Sequence, residues 1–295
     1  MPALAGLYRF REMEGSVIKL SRSRGAADLH ADFTGEGLYK KLRALVSARL
    51  QYGQAMEFKG VIGDWAKTKD QLKKDSHDKC AYCECSTATV SYGDVEHFRP
   101  KSVYWWLALC LDNYVYSCQL CNQQYKKAVF GIAGTLLTSP RLPAALPTDE
   151  QALRRLISRI SPDPATVTES QLRNKWLAED ADLPHPYLED PEPLFDWAEV
   201  HTNEEVLLVA NPQASLRAQR AVNASINHLG LNRETLARRR FIFYQQLTAF
   251  ITIWSASISP DLKDLALQQI KNICHDQHEF AGMCRYYARK ANVPV

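Results

Sequence analysis

Apolar positions along the chain follow helical spacing at both ends and a shorter, strand-like spacing between them. Leu38, Leu42, Leu45 and Leu50 recur among lysines and arginines, and Phe58, Ile62, Trp65 and Leu72 follow in the same rhythm. That pattern predicts two helices, each with one apolar face that reads as core rather than as a binding surface. From Lys79 the runs shorten to β-prone pieces over 87–92 and 94–98, separated by Gly93, which predicts a hairpin, with Pro100 ending its second strand. Residues 122–130 then read as a helix. Two proline-rich passages come next: Pro140, Pro143, Pro147, Pro162 and Pro164, then Pro184, Pro186, Pro191 and Pro193. They read as connector rather than core. The helical rhythm returns with Val222, Ile226 and Leu229, and again with Leu236, Phe243, Leu247, Phe250 and Trp254, the two runs parted by Gly230 in the manner of a helix stop. The expected class is α+β and mainly α-helical: an N-terminal helical region over 1–75, a compact core over 76–135, a partly acidic proline-rich connector over 136–212, and a C-terminal helical region over 213–295.

A chain of 295 residues, 46% apolar and 23% charged, can bury a substantial core and is not expected to be disordered. The net charge of +3 says little about a partner, because binding depends on where charge clusters. Local balance says more. Between Asp182 and Glu205 there are eight acidic residues and no Lys or Arg, whereas Val206 to Arg240 holds six Arg and one Glu. The acidic stretch should repel DNA or dock another subunit, and the arginines, usually just a solvated helix face, could track DNA. The first twenty residues include Arg9, Arg11, Glu12 and Glu14 and no unbroken apolar stretch, so no signal peptide is expected. No apolar run reaches membrane-spanning length. The expected location is a reducing cytoplasm, where paired cysteines favour metal over disulfide.

The cysteines carry the chemistry. Cys80/Cys83 and Cys118/Cys121 form two Cys-x-x-Cys knuckles, with the donor count and softness of a closed tetrahedral zinc site. They bracket Asp94-Val-Glu-His-Phe-Arg-Pro-Lys101, and Asn122 follows the last cysteine. Phosphodiester hydrolysis needs a base for water, a cation to stabilise the leaving oxygen and donors for the phosphate. His97 titrates near neutrality and suits the first role. Glu96 and Asn122 offer hard oxygens suited to magnesium or manganese, with Asp94, on the same strand face as Glu96, as the competing ligand. Asn122 and Lys126 share a helix face, which would set an ammonium beside the metal, and Arg99 and Lys101 lie just beyond the base. Because neighbours on a strand point to opposite faces, Glu96 and His97 can meet only if the backbone bends there. Cys85 reads as a spare thiol, Cys110 as a small core residue, and Cys274, His275, His278 and Cys284 as a looser group that is a weak second metal candidate.

From Cys80 to Lys126 the chain resembles the HNH, or ββα-metal, nucleases, whose pattern is Cys-x-x-Cys, an acid-His pair followed by Pro, an Asn, then Cys-x-x-Cys-His/Asn with a following Lys. The resemblance implies a small zinc-stapled ββα-metal core. It makes His97 the general base, Glu96 a divalent-metal ligand and Asn113 the residue that braces the loop and orients the base. Asn122 takes the position of the final His. Val17-Ile-Lys-Leu-Ser-Arg22, Cys80-Ala-Tyr-Cys-Glu84, Glu96-His-Phe-Arg-Pro-Lys101, Cys121-Asn-Gln-Gln-Tyr-Lys126 and Leu229-Gly-Leu-Asn-Arg-Glu-Thr-Leu-Ala-Arg238 resemble the bacterial HNH group that includes the nuclease subunits of Septu-type and retron antiphage systems. That resemblance implies DNA as substrate, an ABC-type ATPase partner, and in retrons a reverse-transcriptase and non-coding RNA complex. The chain has no Gly-x-x-x-x-Gly-Lys-Ser/Thr loop of its own. The alternative from another class is a zinc-stabilised DNA-binding or adaptor subunit that cuts nothing.

Overall fold

The computed structural model describes residues 19–63, 65–87, 92–210 and 213–295. Outside them lie segment 1–18, on which the absence of a signal peptide was argued and in which the Val17 run begins, and 88–91, most of the expected first strand. The first helix, α1 (Gly35–Tyr52), buries Leu38, Leu42, Leu45 and Val46 and stops at Gly53, whose φ of 56° leaves the helical region. The second apolar run is not one helix. It breaks at Gly63 into α2 (Phe58–Ile62), a 3-10 turn (Trp65–Thr68) and α3 (Lys69–Asp75). This break places Phe58, Trp65 and Lys69 around one opening.

The first strand of the expected hairpin around Gly93 lies mostly outside the described residues; the second pairs further along the chain. Strand β1 (Asp94–His97) runs antiparallel to β2 (Tyr114–Ser117), in the register Asp94↔Ser117, Val95↔Tyr116, Glu96↔Val115 and His97↔Tyr114. Gly93 serves close approach here: a Cβ at that position would meet the Tyr116 ring at 2.4 Å. The Tyr116 hydroxyl lies 2.6 Å from Thr87 Oγ1. Every residue of β2 is buried, so its pairing with β1 hides apolar surface. A π-helix (Leu120–Lys126) follows and is shorter than expected, ending at Lys127 with φ 50°.

Region 136–212 is more than a connector. The prolines lie between elements, and the intervals hold α4 (Glu150–Ile157), capped by Asp149 on the Ala152 amide, and α5 (Glu169–Leu177), opened by a Thr168/Gln171 capping box. A second hairpin pairs β3 (Asp196–Val200) with β4 (Glu205–Val209). Leu153, Ile157, Leu172 and Trp176 join the core, because two short helices can each bury a stripe of three or four residues without a long apolar run. The C-terminal layer is α6 (Leu216–Leu229), α7 (Glu234–Ala256), α8 (Pro260–Ile273) and α9 (Ala281–Lys290). Gly230 stops α6 in a left-handed conformation with φ 62°, and a Cβ there would meet the Tyr125 ring at 2.5 Å. Its lack of a side chain lets the π-helix lie against α6.

Two apolar clusters flank the short β1–β2 ladder. One gathers α1, α3, the Trp105–Leu111 run, α4 and α5, and includes Val95 and the fully buried Cys110. The other gathers the cysteine knuckles, Phe98, Val115 and the C-terminal helices. The site thus stands at the seam of both. Among the described residues no helix is long and apolar enough to cross a membrane.

The charge segregation seen in the sequence is used internally. Arg217 pairs with Asp180 at 3.2 Å and Glu189 at 2.9 Å, and Arg220 with Asp182 at 3.0 Å and also with Asp180. Arg239 pairs with Glu279 at 2.5 Å and Arg238 with Glu234 at 3.0 Å. Arg240 is buried, bonded to the Leu231 carbonyl at 2.6 Å and stacked 4.7 Å over Trp197. The arginines of this stretch, and Asp182 and Glu189 of the acidic one, thus have partners within the fold.

Candidate functional site

The first knuckle is a tight turn: the Cys80 amide donates to Cys85 O at 2.9 Å, the Glu84 amide donates back to Cys80 O at 2.9 Å, and Glu84 takes φ 58°. The Ala81 amide donates to Tyr116 O at 2.9 Å, tying this turn to β2. The second knuckle leads from β2 into the π-helix, where the Asn122 amide donates to Cys118 O at 3.0 Å. The Sγ atoms of Cys80, Cys83, Cys118 and Cys121 lie within 4.8 Å of one another, with Cys83 and Cys118 3.9 Å apart. Tetrahedral zinc at about 2.3 Å from each sulfur requires a spacing of about 3.8 Å, so the donor set and its dimensions fit the ion. Arg233 donates to Cys121 Sγ at 3.7 Å, setting a positive charge beside the thiolates. Among the described residues this is the one group of three or more His, Cys, Asp or Glu close enough together to hold a metal; Cys274, His275, His278 and Cys284 are not brought together.

Beside the staple opens a cleft of about 560 Å³ lined by Asp94, Glu96, His97, Lys101 and Asn122, together with Phe58, Trp65, Lys69 and Lys127. All four residues of β1 line the cleft, Glu96 and His97 among them.

The His97 ring is buried, with Tyr114 edge-on at 4.9 Å and Trp65 edge-on at 5.5 Å. Its Nε2 lies 3.1 Å from Ala108 O, an oxygen that can only accept, so Nε2 carries the proton and Nδ1 is the basic nitrogen. The Tyr114 hydroxyl donates to the same carbonyl at 2.6 Å. Nδ1 makes no hydrogen bond among the described residues. Burial pushes the imidazole down to about 3, with the charge of Lys101 acting in the same direction, so the ring is neutral at pH 7.

Ala108 belongs to the loop inserted between β1 and β2, and Asn113 closes that loop. Its Oδ1 accepts from the Arg99 amide and its Nδ2 donates to the Arg99 carbonyl, both at 2.9 Å, while the Phe98 amide donates to Asn113 O at 2.8 Å. Asn113 thus braces the loop whose carbonyl holds the histidine.

Two expected phosphate contacts are placed elsewhere. Lys126 is fully buried, its Nζ 2.5 Å from Glu96 Oε1 and 3.2 Å from the His97 carbonyl. Arg99 points inward, with Nε 2.6 Å from Glu179 Oε2 and Nη2 3.0 Å from Trp176 O. Glu179 also accepts from Tyr104 and from the Leu137 amide, so this buried pair is tied into the fold, with Arg99 Nη1 alone left without a partner. Both cations are structural because each answers a carboxylate that would otherwise be buried alone. Lys101 alone of the three faces the cleft.

Glu96 is nine-tenths buried, and burial raises its carboxyl against the pull of Lys126. Asp94 is more open, its Oδ2 accepting from Asn122 Nδ2 at 3.2 Å and Gln123 Nε2 at 2.8 Å. Asp94, Glu96 and Asn122 all line the cleft. Sequence reasoning missed Trp65 and Phe58, taken as core, and the Ala108 carbonyl. Only an aromatic pair just before the knuckles could have pointed to the first two, and a backbone oxygen leaves no residue signal.

The chain is therefore a mainly helical α+β protein with a four-cysteine centre that could bind a metal such as zinc. No protein-family model matches it and no solved structure matches it. Similarity to curated proteins is partial. Septu protein PtuB of Bacillus mycoides (strain KBAB4) is 31% identical over 129 residues, covering 39% of this chain and 43% of that protein. Septu protein PtuB of Bacillus thuringiensis is 43% identical over 61 residues, covering 20% of this chain and 24% of that protein. The chain spans less than half the length of the curated relatives it matches.

Replacing Cys118 with Ser should remove bound zinc and abolish cooperative thermal unfolding, because structural zinc contributes folding free energy directly. Metal content by mass spectrometry and a melting curve check this; full zinc occupancy in the variant would contradict the assignment.

Proposed function

We propose that the chain is a metal-dependent HNH endonuclease that hydrolyses phosphodiester bonds in DNA. The observation that carries this is the position of His97: a neutral imidazole, its tautomer set by Ala108 O, in a cleft it shares with Asp94, Glu96 and Asn122. His97 Nδ1 takes a proton from water, and the resulting hydroxide attacks phosphorus in line with the departing 3′ oxygen, leaving a 5′ phosphate. Asn113 and Tyr114 hold the ring and its tautomer through the carbonyl of the inserted loop. Glu96, Asp94 and Asn122 would hold a divalent cation, which when bound supplies charge stabilisation at the leaving oxygen. Lys126 pairs with the buried Glu96 carboxyl and holds it in place, opposing the effect of its burial.

The partial likeness to Septu protein PtuB supports a setting in antiphage defence, with the chain as the nuclease effector beside an ABC-type ATPase and, in a retron context, a reverse-transcriptase and RNA complex. The absence of a phosphate-binding loop in the sequence agrees with ATP-dependent control residing in a partner.

His97→Ala should lower plasmid cleavage in magnesium or manganese by at least about 10²-fold while leaving zinc content unchanged, as removal of a general base does. Equal cutting by variant and wild type would remove His97 from the role. Because burial holds His97 well below its ordinary titration range, the base stays neutral as pH falls from 8 to 5.5. The single-turnover rate should therefore show no acid limb centred near 6.5, and such a limb in the pH profile would contradict the assignment.

A further inference from the structure

Once Arg99 and Lys126 are withdrawn into ion pairs, three cations remain on the walls of the cleft. Lys69 stands at the start of α3, Lys101 follows the base, and Lys127 follows the π-helix. Among the described residues none of the three makes an ion pair or a side-chain hydrogen bond. The arginines of α6 and α7, by contrast, answer a carboxylate, a carbonyl or a thiolate within the fold.

Lys101 is also held. Its Nζ lies 5.0 Å from the centroid of Trp65 and 5.9 Å from that of Phe58, so two aromatic rings cradle the ammonium. Trp65 meets His97 edge-on at 5.5 Å as well. One indole therefore fixes the spacing between the base and the free cation. Partial burial pushes the Lys101 ammonium down from its ordinary range, against the pull of Glu96, so it is a cation short of water and without a bonded anion. A polyanion entering the cleft would supply what all three lysines lack.

We infer that Lys69, Lys101 and Lys127 form the phosphate-binding track of a nucleic-acid substrate, and that Phe58 and Trp65 are positioning residues that hold Lys101 beside His97. This rests on the nuclease proposal for its substrate class. It assigns backbone recognition to the cleft rim and away from the arginine-rich helices. It also makes the N-terminal helical region part of the site, since Phe58, Trp65 and Lys69 all come from it.

The test uses the full chain carrying His97→Ala, which removes the base, and a fluorescently labelled 20-base-pair DNA duplex, with affinity read by anisotropy across a sodium chloride series. Each of Lys69→Gln, Lys101→Gln and Lys127→Gln should flatten the dependence of log affinity on log salt by about 0.9, the share of one phosphate contact. Arg238→Gln should leave the slope unchanged. Trp65→Ala should weaken binding as Lys101→Gln does and add nothing in combination with it, whereas Trp65→Phe should retain most of the affinity. If Trp65→Ala fails to fold, the three lysine variants decide. Unchanged slopes in all three, or an equal loss in Arg238→Gln, would overturn the track. If the slopes behave as stated while the wild-type chain cuts no nucleic acid, the nuclease proposal fails and the track stands. If the wild type cuts but the slopes do not respond, the track alone fails.

Discussion

Four thiolates that must meet at one point decide where everything else in the site stands. Strands β1 and β2 pair over only four residues each, too little for a ladder to persist by itself. One knuckle is hydrogen-bonded to β2 through Ala81, and the other is the exit of β2 into the π-helix. Closing the sulfurs around a single ion would therefore lock strand, turn and helix together. That lock sets Asn122 against Asp94 and brings Lys126 beneath Glu96.

Within this frame the histidine is controlled by backbone rather than by side-chain charge. Asn113 closes the inserted loop on Arg99, the loop presents the Ala108 carbonyl, and that oxygen decides which imidazole nitrogen carries the proton. Arg99 and Glu179 tie the same loop to the region after α5, so the setting of His97 depends on segments far apart in sequence. Charge is divided accordingly: Arg99 and Lys126 turn inward onto buried carboxylates, whereas Lys69, Lys101 and Lys127 line the cleft.

Much of the site was legible in the sequence because metal ligation and acid-base chemistry demand particular side chains at particular spacings. Cys80, Cys83, Cys118 and Cys121 converge, and Glu96, His97 and Asn122 line one cleft. The helices α1, α6 and α7, with the stop at Gly230, followed from apolar periodicity. The pairing of β1 did not, because β-propensity near Gly93 says nothing of the better-buried strand beyond the inserted loop. Nor did the fate of Arg99 and Lys126, since a cation beside a base looks the same in sequence whether it faces solvent or a buried carboxylate. The short helices α4 and α5 were hidden by prolines that end elements without emptying the spaces between them.

The central claim is that the four-cysteine frame holds His97 as a buried, neutral imidazole protonated on Nε2, with Nδ1 left as the basic nitrogen. Nitrogen-15 NMR of the His97 ring in the zinc-loaded chain between pH 5.5 and 8 tests it most directly. The account predicts a single neutral tautomer with the proton on Nε2 across the whole range. An imidazolium at pH 6, or the proton on Nδ1, would contradict it.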